Sequence, residues 1–261
     1  MADNKQRKLK VLAMGAHPDD VEFTCAGTLA LLAEGGCSIV VASLTPGDCG
    51  SADMPPHAIA GKRRREAQNA AALLGAPYAC LEFHDLSIFA DDSATRRVTE
   101  FIRGVRPDLV FAPSPQDYMA DHENTSALVR NACFYAPIRN YVTRPSASSV
   151  VPTSAVPALY YCDPIAGKDV FGQTVTPHLL VNISRTIDVK TDMLACHESQ
   201  REWMKQQHGV DEYLEQMKAW SAERGRPADW EYAEGFRQHR GHPYPTQDML
   251  GELLGDRVRH L

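Results

Sequence analysis

No apolar run in this chain approaches the length of about 20 residues that a membrane-spanning helix needs. The N-terminus has a short basic run from Lys5 to Lys10 and no apolar core of the kind a secretory signal carries. A cytoplasmic protein with a solvated N-terminus is expected. Basic residues are outnumbered, 27 against 33 acidic, for a net charge of -6, so nucleic acid is not an expected partner. The seven cysteines, at 25, 37, 49, 80, 133, 162 and 196, form no Cys-x-x-Cys pair. They read as reduced thiols, mostly small buried hydrophobes. Internal repeats and low-complexity tracts are missing, and nothing demands a boundary, so residues 1-261 are expected to form one domain. Also missing is a Gly-x-Gly-x-x-Gly turn after the first strand. Its place is taken by Gly15-Ala16-His17-Pro18-Asp19-Asp20, whose two carboxylates would repel a pyrophosphate.

What the chain does have is enough apolar sequence for a full core, 44% hydrophobic against 23% charged over 261 residues. Strands at Val11–Ala16, Cys37–Leu44, Tyr78–Phe83 and Leu109–Ala112 alternate with helices at Gly27–Glu34, Gly61–Leu74, Ser93–Val105 and Glu123–Ala136. This alternation predicts an α/β, Rossmann-like fold, a mainly parallel sheet with helices on both faces. Pro137 to Pro157 is rich in Pro, Ser, Thr and Val and reads as a long loop. Strands at Ala158–Cys162 and His178–Ile183 and a helix from Val189 to Gln207 follow. The C-terminal part is expected to be mostly helical, ending in turns around Gly241-His242-Pro243.

Two short motifs carry chemistry. His17-Pro18-Asp19-Asp20 closes the first strand, at the edge where open α/β sheets bind ligands. His17 and Asp20 offer one imidazole nitrogen and one carboxylate oxygen to a divalent metal, with Asp19 between them. The alternative is that Asp19 or Asp20 caps the next helix and His17 is a hydrogen-bonded loop residue. Asp117 to His122 follows another apolar strand, and His122 stands at the start of a helix on the same sheet edge. His17, Asp20 and His122 together would leave one position open on a zinc ion, as catalytic sites do. Taken alone, His122 could equally be a surface residue at a helix start.

With these residues in place, the chain resembles the PIG-L/LmbE-like zinc-dependent N-deacetylases. The resemblance runs through Ala16 to Asp20, Gly27 to Ala30, Thr45 to Gly50, Arg63 to Glu66, Leu74-Gly75, Arg106 to Val110, Asp121-His122, and Lys190 with His197 to Gln200. It implies a single domain that binds one Zn2+ per chain, or another divalent metal, through His17, Asp20 and His122. It further implies Asp19 as the general base, with Arg63 and Asp85 as substrate-binding residues. The structural alternatives are a solvated helix face for Arg63 to Arg65 and a turn or cap role for Asp85. The implied activity is removal of an N-acetyl group from an N-acetylglucosamine-type substrate, releasing acetate and a free amine. The implied partners are a small amino-sugar substrate and further copies of the chain, as trimer or hexamer.

One position departs from the family pattern, in which His-Pro-Asp-His is common where this chain has Met119-Ala120-Asp121-His122. Met119 can neither donate a proton nor carry charge. Tyr118, His197, His239 and His242 are the candidates to replace the missing imidazole. The departure keeps open a second reading, a metal-binding homologue with weakened or altered catalysis. A dinucleotide-binding module is a third reading, and the two carboxylates after the first strand disfavour it.

Overall fold

The computed structural model describes residues 8–144, 150–208 and 212–261. The first part of the basic run, residues 5–7, and positions 145–149 of the long loop lie outside the described residues. The elements in chain order are β1 (Lys10–Gly15), α1 (Asp20–Glu34), β2 (Ser38–Ser43), α2 (Pro56–Ala72), β3 (Tyr78–Cys80) and α3 (Asp92–Val105). Then come β4 (Leu109–Ala112), α4 (Ala120–Tyr135), β5 (Ala158–Cys162), β6 (Leu179–Asn182) and α5 (Ile187–Ala195). The chain ends with α6 (Glu198–His208), α7 (Glu212–Gly225), β7 (Ala233–Gln238), α8 (Met249–Leu254) and β8 (Val258–His260).

The strands form one sheet in the order β3-β2-β1-β4-β5-β7-β6-β8. From β3 to β5 every pairing is parallel, whereas β5–β7, β7–β6 and β6–β8 are antiparallel. The continuous apolar run of β1 is explained by burial on both faces. Val11 and Ala13 pack on one side with Phe111 and Tyr160. Leu12 and Met14 point to the other, where Val98 and Ile102 of α3 and Leu128 and Val129 of α4 close the second layer. Successive side chains of a strand face opposite ways, so one sequence serves both cores.

β1 and β4 are neighbours, yet the chain leaves β1 toward β2 and β4 toward β5. The connections diverge there and open a crevice at the carboxyl ends of these two strands. Both His-containing motifs lie in that crevice.

Three features differ from the sequence expectation. Helix α1 starts at Asp20 rather than Gly27, because Val21 and Phe23 of its first turn are buried. The predicted helix from Val189 to Gln207 is broken at Cys196-His197 into α5 and α6. Glu66 of α2 is the cause: its carboxylate accepts from Ser199 N (2.9 Å) and Ser199 Oγ (2.5 Å), satisfying the first turn of α6. The C-terminal part also contributes β7 and β8 in addition to its helices. β7 reads as polar, but Glu234 within it is buried against Lys190 (2.7 Å). Its Gly235 is needed, because a Cβ there would lie 2.3 Å from Asp163 Oδ2.

Candidate metal centre and active-site cleft

The chain turns sharply on leaving β1. A Cβ on Gly15 would come 2.7 Å from Asp20 Cβ, so glycine is required at this turn. Asp20 Oδ2 fastens the turn by accepting from Ala16 N (2.8 Å) and His17 N (2.9 Å). Its other oxygen, Oδ1, lies 3.4 Å from His122 Nε2. Asp19 sits at φ 102, in left-handed space that costs a non-glycine residue energy. It occupies the N-cap position of α1 but makes no side-chain capping bond. Its Oδ2 instead accepts from Tyr213 OH (2.8 Å) and Arg63 Nη2 (3.3 Å). The helix-capping alternative is therefore not what these two aspartates do.

Each imidazole is held from behind by carboxylates. His17 Nε2 faces Asp85 Oδ1 at 3.0 Å and Asp121 Oδ2 at 3.2 Å, while its Nδ1 lies 3.6 Å from Asp20 Oδ2. His122 Nδ1 meets Asp117 Oδ1 at 2.9 Å and turns Nε2 toward Asp20. Carboxylates that bind the outer nitrogen of a ligating histidine fix its orientation and raise its basicity. One donor atom from each of His17, Asp20 and His122 lies within 4.8 Å of the others.

Charge tells the same story. Burial alone would lower His122, but Asp20 and Asp117 outweigh it and push the imidazole up to about 10. Burial also opposes charge on His17, and Asp121, Asp20 and Asp85 nevertheless hold it well above the usual value. Asp20, though buried, is held well below the carboxylate range by His122 and His17. Asp19 moves the other way: burial raises it against the pull of Arg63. The pocket thus holds more negative than positive groups, and its nitrogen and oxygen donors suit a divalent cation. Four ligands about 2.1 Å from a tetrahedral zinc would be about 3.4 Å apart, which the Asp20–His122 separation matches.

Every site residue expected from the sequence lines one cleft of about 1120 Å³: His17, Asp19, Asp20, Arg63, Asp85 and His122. Arg63 is buried and also donates to Pro18 O at 2.7 Å, so it is no solvated helix face. Its guanidinium fills the space beside Gly47 and Gly50, where any Cβ would collide with it. Asp85 binds His17 through Oδ1 and accepts from Cys49 N through Oδ2 at 3.2 Å. Four contributors carried no assigned role from the sequence: Tyr213, Asp117, Asp121 and Glu66. A carboxylate-x-x-x-x-His spacing could have pointed to Asp117, but a lone tyrosine on α7 carries no signal.

Met119 stands at the N-cap of α4 and lines the cleft. Among the candidates to replace its missing imidazole, Tyr118 also lines the cleft and packs edge-on against His122, 5.5 Å between ring centroids. His197 is fully buried in the α5–α6 break, 3.5 Å from Glu22. His239 is bonded to Tyr161 OH (3.0 Å) and packed at a tilt against Tyr244, and His242 is exposed, both outside the cleft lining.

Residues 12–133 match the PIG-L family, GlcNAc-PI de-N-acetylase. That match spans just under half of the chain. Diacetylchitobiose deacetylase of Thermococcus kodakarensis is 27% identical over 197 residues, 73% of this chain and 70% of that one. 4-Oxalmesaconate hydratase of Pseudomonas putida is 30% identical over 138 residues, 50% of this chain and 54% of that one. The solved structure of a conserved protein from Thermus thermophilus aligns with a TM-score of 0.73 at 28% identity, covering 92% of this chain and 97% of that one. The PIG-L match includes both His-containing motifs. It ends before α7, so Tyr213 reaches Asp19 from outside it. No helix among the described residues is long and apolar enough to cross a membrane.

Proposed function

We propose that this protein is a zinc-dependent hydrolase that removes an N-acetyl group from an N-acetylglucosamine-type substrate, giving acetate and a free amine. The observation that carries this reading is Asp19. Its strained backbone and the Tyr213 and Arg63 contacts hold its carboxylate beside the donor set of His17, Asp20 and His122. A zinc ion held by those three residues supplies a polarised water and an electrophile for the acyl oxygen. Asp19 takes the proton from the attacking water through Oδ1, which has no donor among the described residues, and returns it to the departing amine. Its raised pKa brings this base nearer to working pH. Such a return of the proton makes a histidine at position 119 dispensable. Asp85 acts chiefly by orienting His17, and Arg63 by holding Asp19.

The hydratase relative raises a second reading, water addition to a polycarboxylate. The cleft disfavours it: Arg63 is the single Arg or Lys among its described lining residues, and its two terminal nitrogens are engaged by Pro18 O, Asp19 and Gly47 O. The seven cysteines are all free, in keeping with a reducing, cytoplasmic setting. The test is acetate release from N-acetylglucosamine conjugates by protein of measured zinc content, with and without chelator. Zinc-dependent release is expected. Metal-loaded protein that releases none would overturn the proposal in favour of the weakened homologue suggested by Met119.

A further inference from the structure

The lining of the cleft is not all charged. Trp203 and Met204 of α6 line it together with Phe23 of α1, and the loops after β3 and β4 add Leu86 and Tyr118. Leu86 is 63% exposed and Tyr118 57%, so two large apolar or aromatic side chains at a concave site are left open to solvent. Leu86 is also held at φ 61, a left-handed conformation unfavourable for leucine. Asp121 Oδ2 fastens it by accepting from Leu86 N at 2.8 Å, and the same oxygen faces His17. The metal centre and this exposed leucine are therefore built on one carboxylate. Backbone strain tends to be retained at functional sites, and exposed apolar side chains grouped in a cleft suit a ligand contact. Gln200 and Gln216 also line the cleft and add no charge.

From this we infer that the cleft takes an amino sugar bearing an apolar aglycone, aryl or alkyl, which packs against Leu86, Tyr118, Trp203 and Met204. The inference rests on the deacetylase reading and adds to it the class of group attached to the sugar. Burying a phenyl-sized surface against such a wall corresponds to about 10- to 100-fold in affinity.

Calorimetry of the zinc-loaded protein with methyl, benzyl and octyl β-glucosaminides, which carry the free amine and are not turned over, tests this directly. The benzyl and octyl compounds should bind about 10- to 100-fold more tightly than the methyl compound. Trp203→Ala should bring benzyl binding down toward the methyl value, leaving the methyl value unchanged. Leu86→Gly, which relieves the positive φ and so should fold at least as well, should weaken the preference in the same direction. Equal affinities for all three compounds, no binding of any, or a benzyl preference untouched by both substitutions overturns the inference. Acetate release from the corresponding N-acetyl glycosides separates the two claims. Tight benzyl binding without acetate release sinks deacetylation and leaves the apolar subsite standing. Equal binding with equal acetate release sinks the subsite alone.

Discussion

Two groups of buried charges lie along α1, and they are completed in opposite ways. Midway along the helix, Glu234 of β7 accepts from Gly27 N (3.0 Å), Thr28 N (2.8 Å) and Lys190 Nζ (2.7 Å), with the two side chains 2% and 1% exposed. One anion meets one cation and every bond is supplied from inside. At the N-terminal end of the same helix, His17, Asp20 and His122 are surrounded by Asp85, Asp117 and Asp121, and the group opens into the cleft. Negative charge is in excess there and the inward-facing donors are aimed at one another. A closed, neutral pair of this kind holds structure together, whereas an open set with surplus carboxylates has the charge that the proposed cation would balance.

The largest expected effect falls on the open group. His122→Ala should abolish stoichiometric zinc binding and turnover, read by elemental analysis and acetate release; full metal content and rate in this variant would remove the proposed centre. Asp19→Asn should retain zinc and lose about 100- to 10,000-fold in kcat, and loss of the metal along with the rate would show Asp19 to be a ligand instead. The closed group should behave the other way round. Glu234→Ala leaves Lys190 buried without a partner and should cost about 3–5 kcal/mol in denaturant unfolding, with kcat per folded molecule little changed. A comparable fall in kcat with unaltered stability would erase the contrast between the groups.

Two smaller effects sharpen it. Asp117→Asn weakens the hold on His122 Nδ1 and should reduce zinc affinity about 10- to 100-fold, measured by competition with a chelator. Asp163 is intermediate, a buried acid with Arg224 Nε at 2.6 Å; burial outweighs that partner and raises its pKa to about 6. Because the folded pKa lies above the unfolded value near 4, ionising Asp163 costs stability as pH rises from about 4 through 6. The stability advantage of the native protein over Asp163→Asn should therefore shrink by about 2 kcal/mol between pH 4 and 7. An advantage that grows with pH would mean that Arg224 dominates.

Much of this was legible in the linear chain. The strand-and-helix alternation predicted the parallel half of the sheet, since two-sided burial writes itself as unbroken apolar runs such as Val11 to Ala16. His17 and Asp20 stand out as candidate ligands because both lie within one turn of chain, and His122 because it follows a second such run. Position 119 was visible as a departure only through the resemblance to the PIG-L/LmbE-like family. The break between α5 and α6 was not legible, because the group that caps α6 is Glu66, far away on α2.

By itself the sequence determined which segments are strands and helices in the first half of the protein and which residues could hold a metal, because periodicity and spacing are local properties. Tertiary structure alone decided how those residues are aimed. Tyr213 reaches Asp19 across 194 positions of sequence. The Asp121 carboxylate ties Leu86 to the back of His17, and Glu234 makes a buried strand of a polar segment once Lys190, 44 positions away, neutralises it. Hydrogen bonds and ion pairs between distant segments leave no period in the chain; they exist only after the apolar faces have packed and brought their partners within reach.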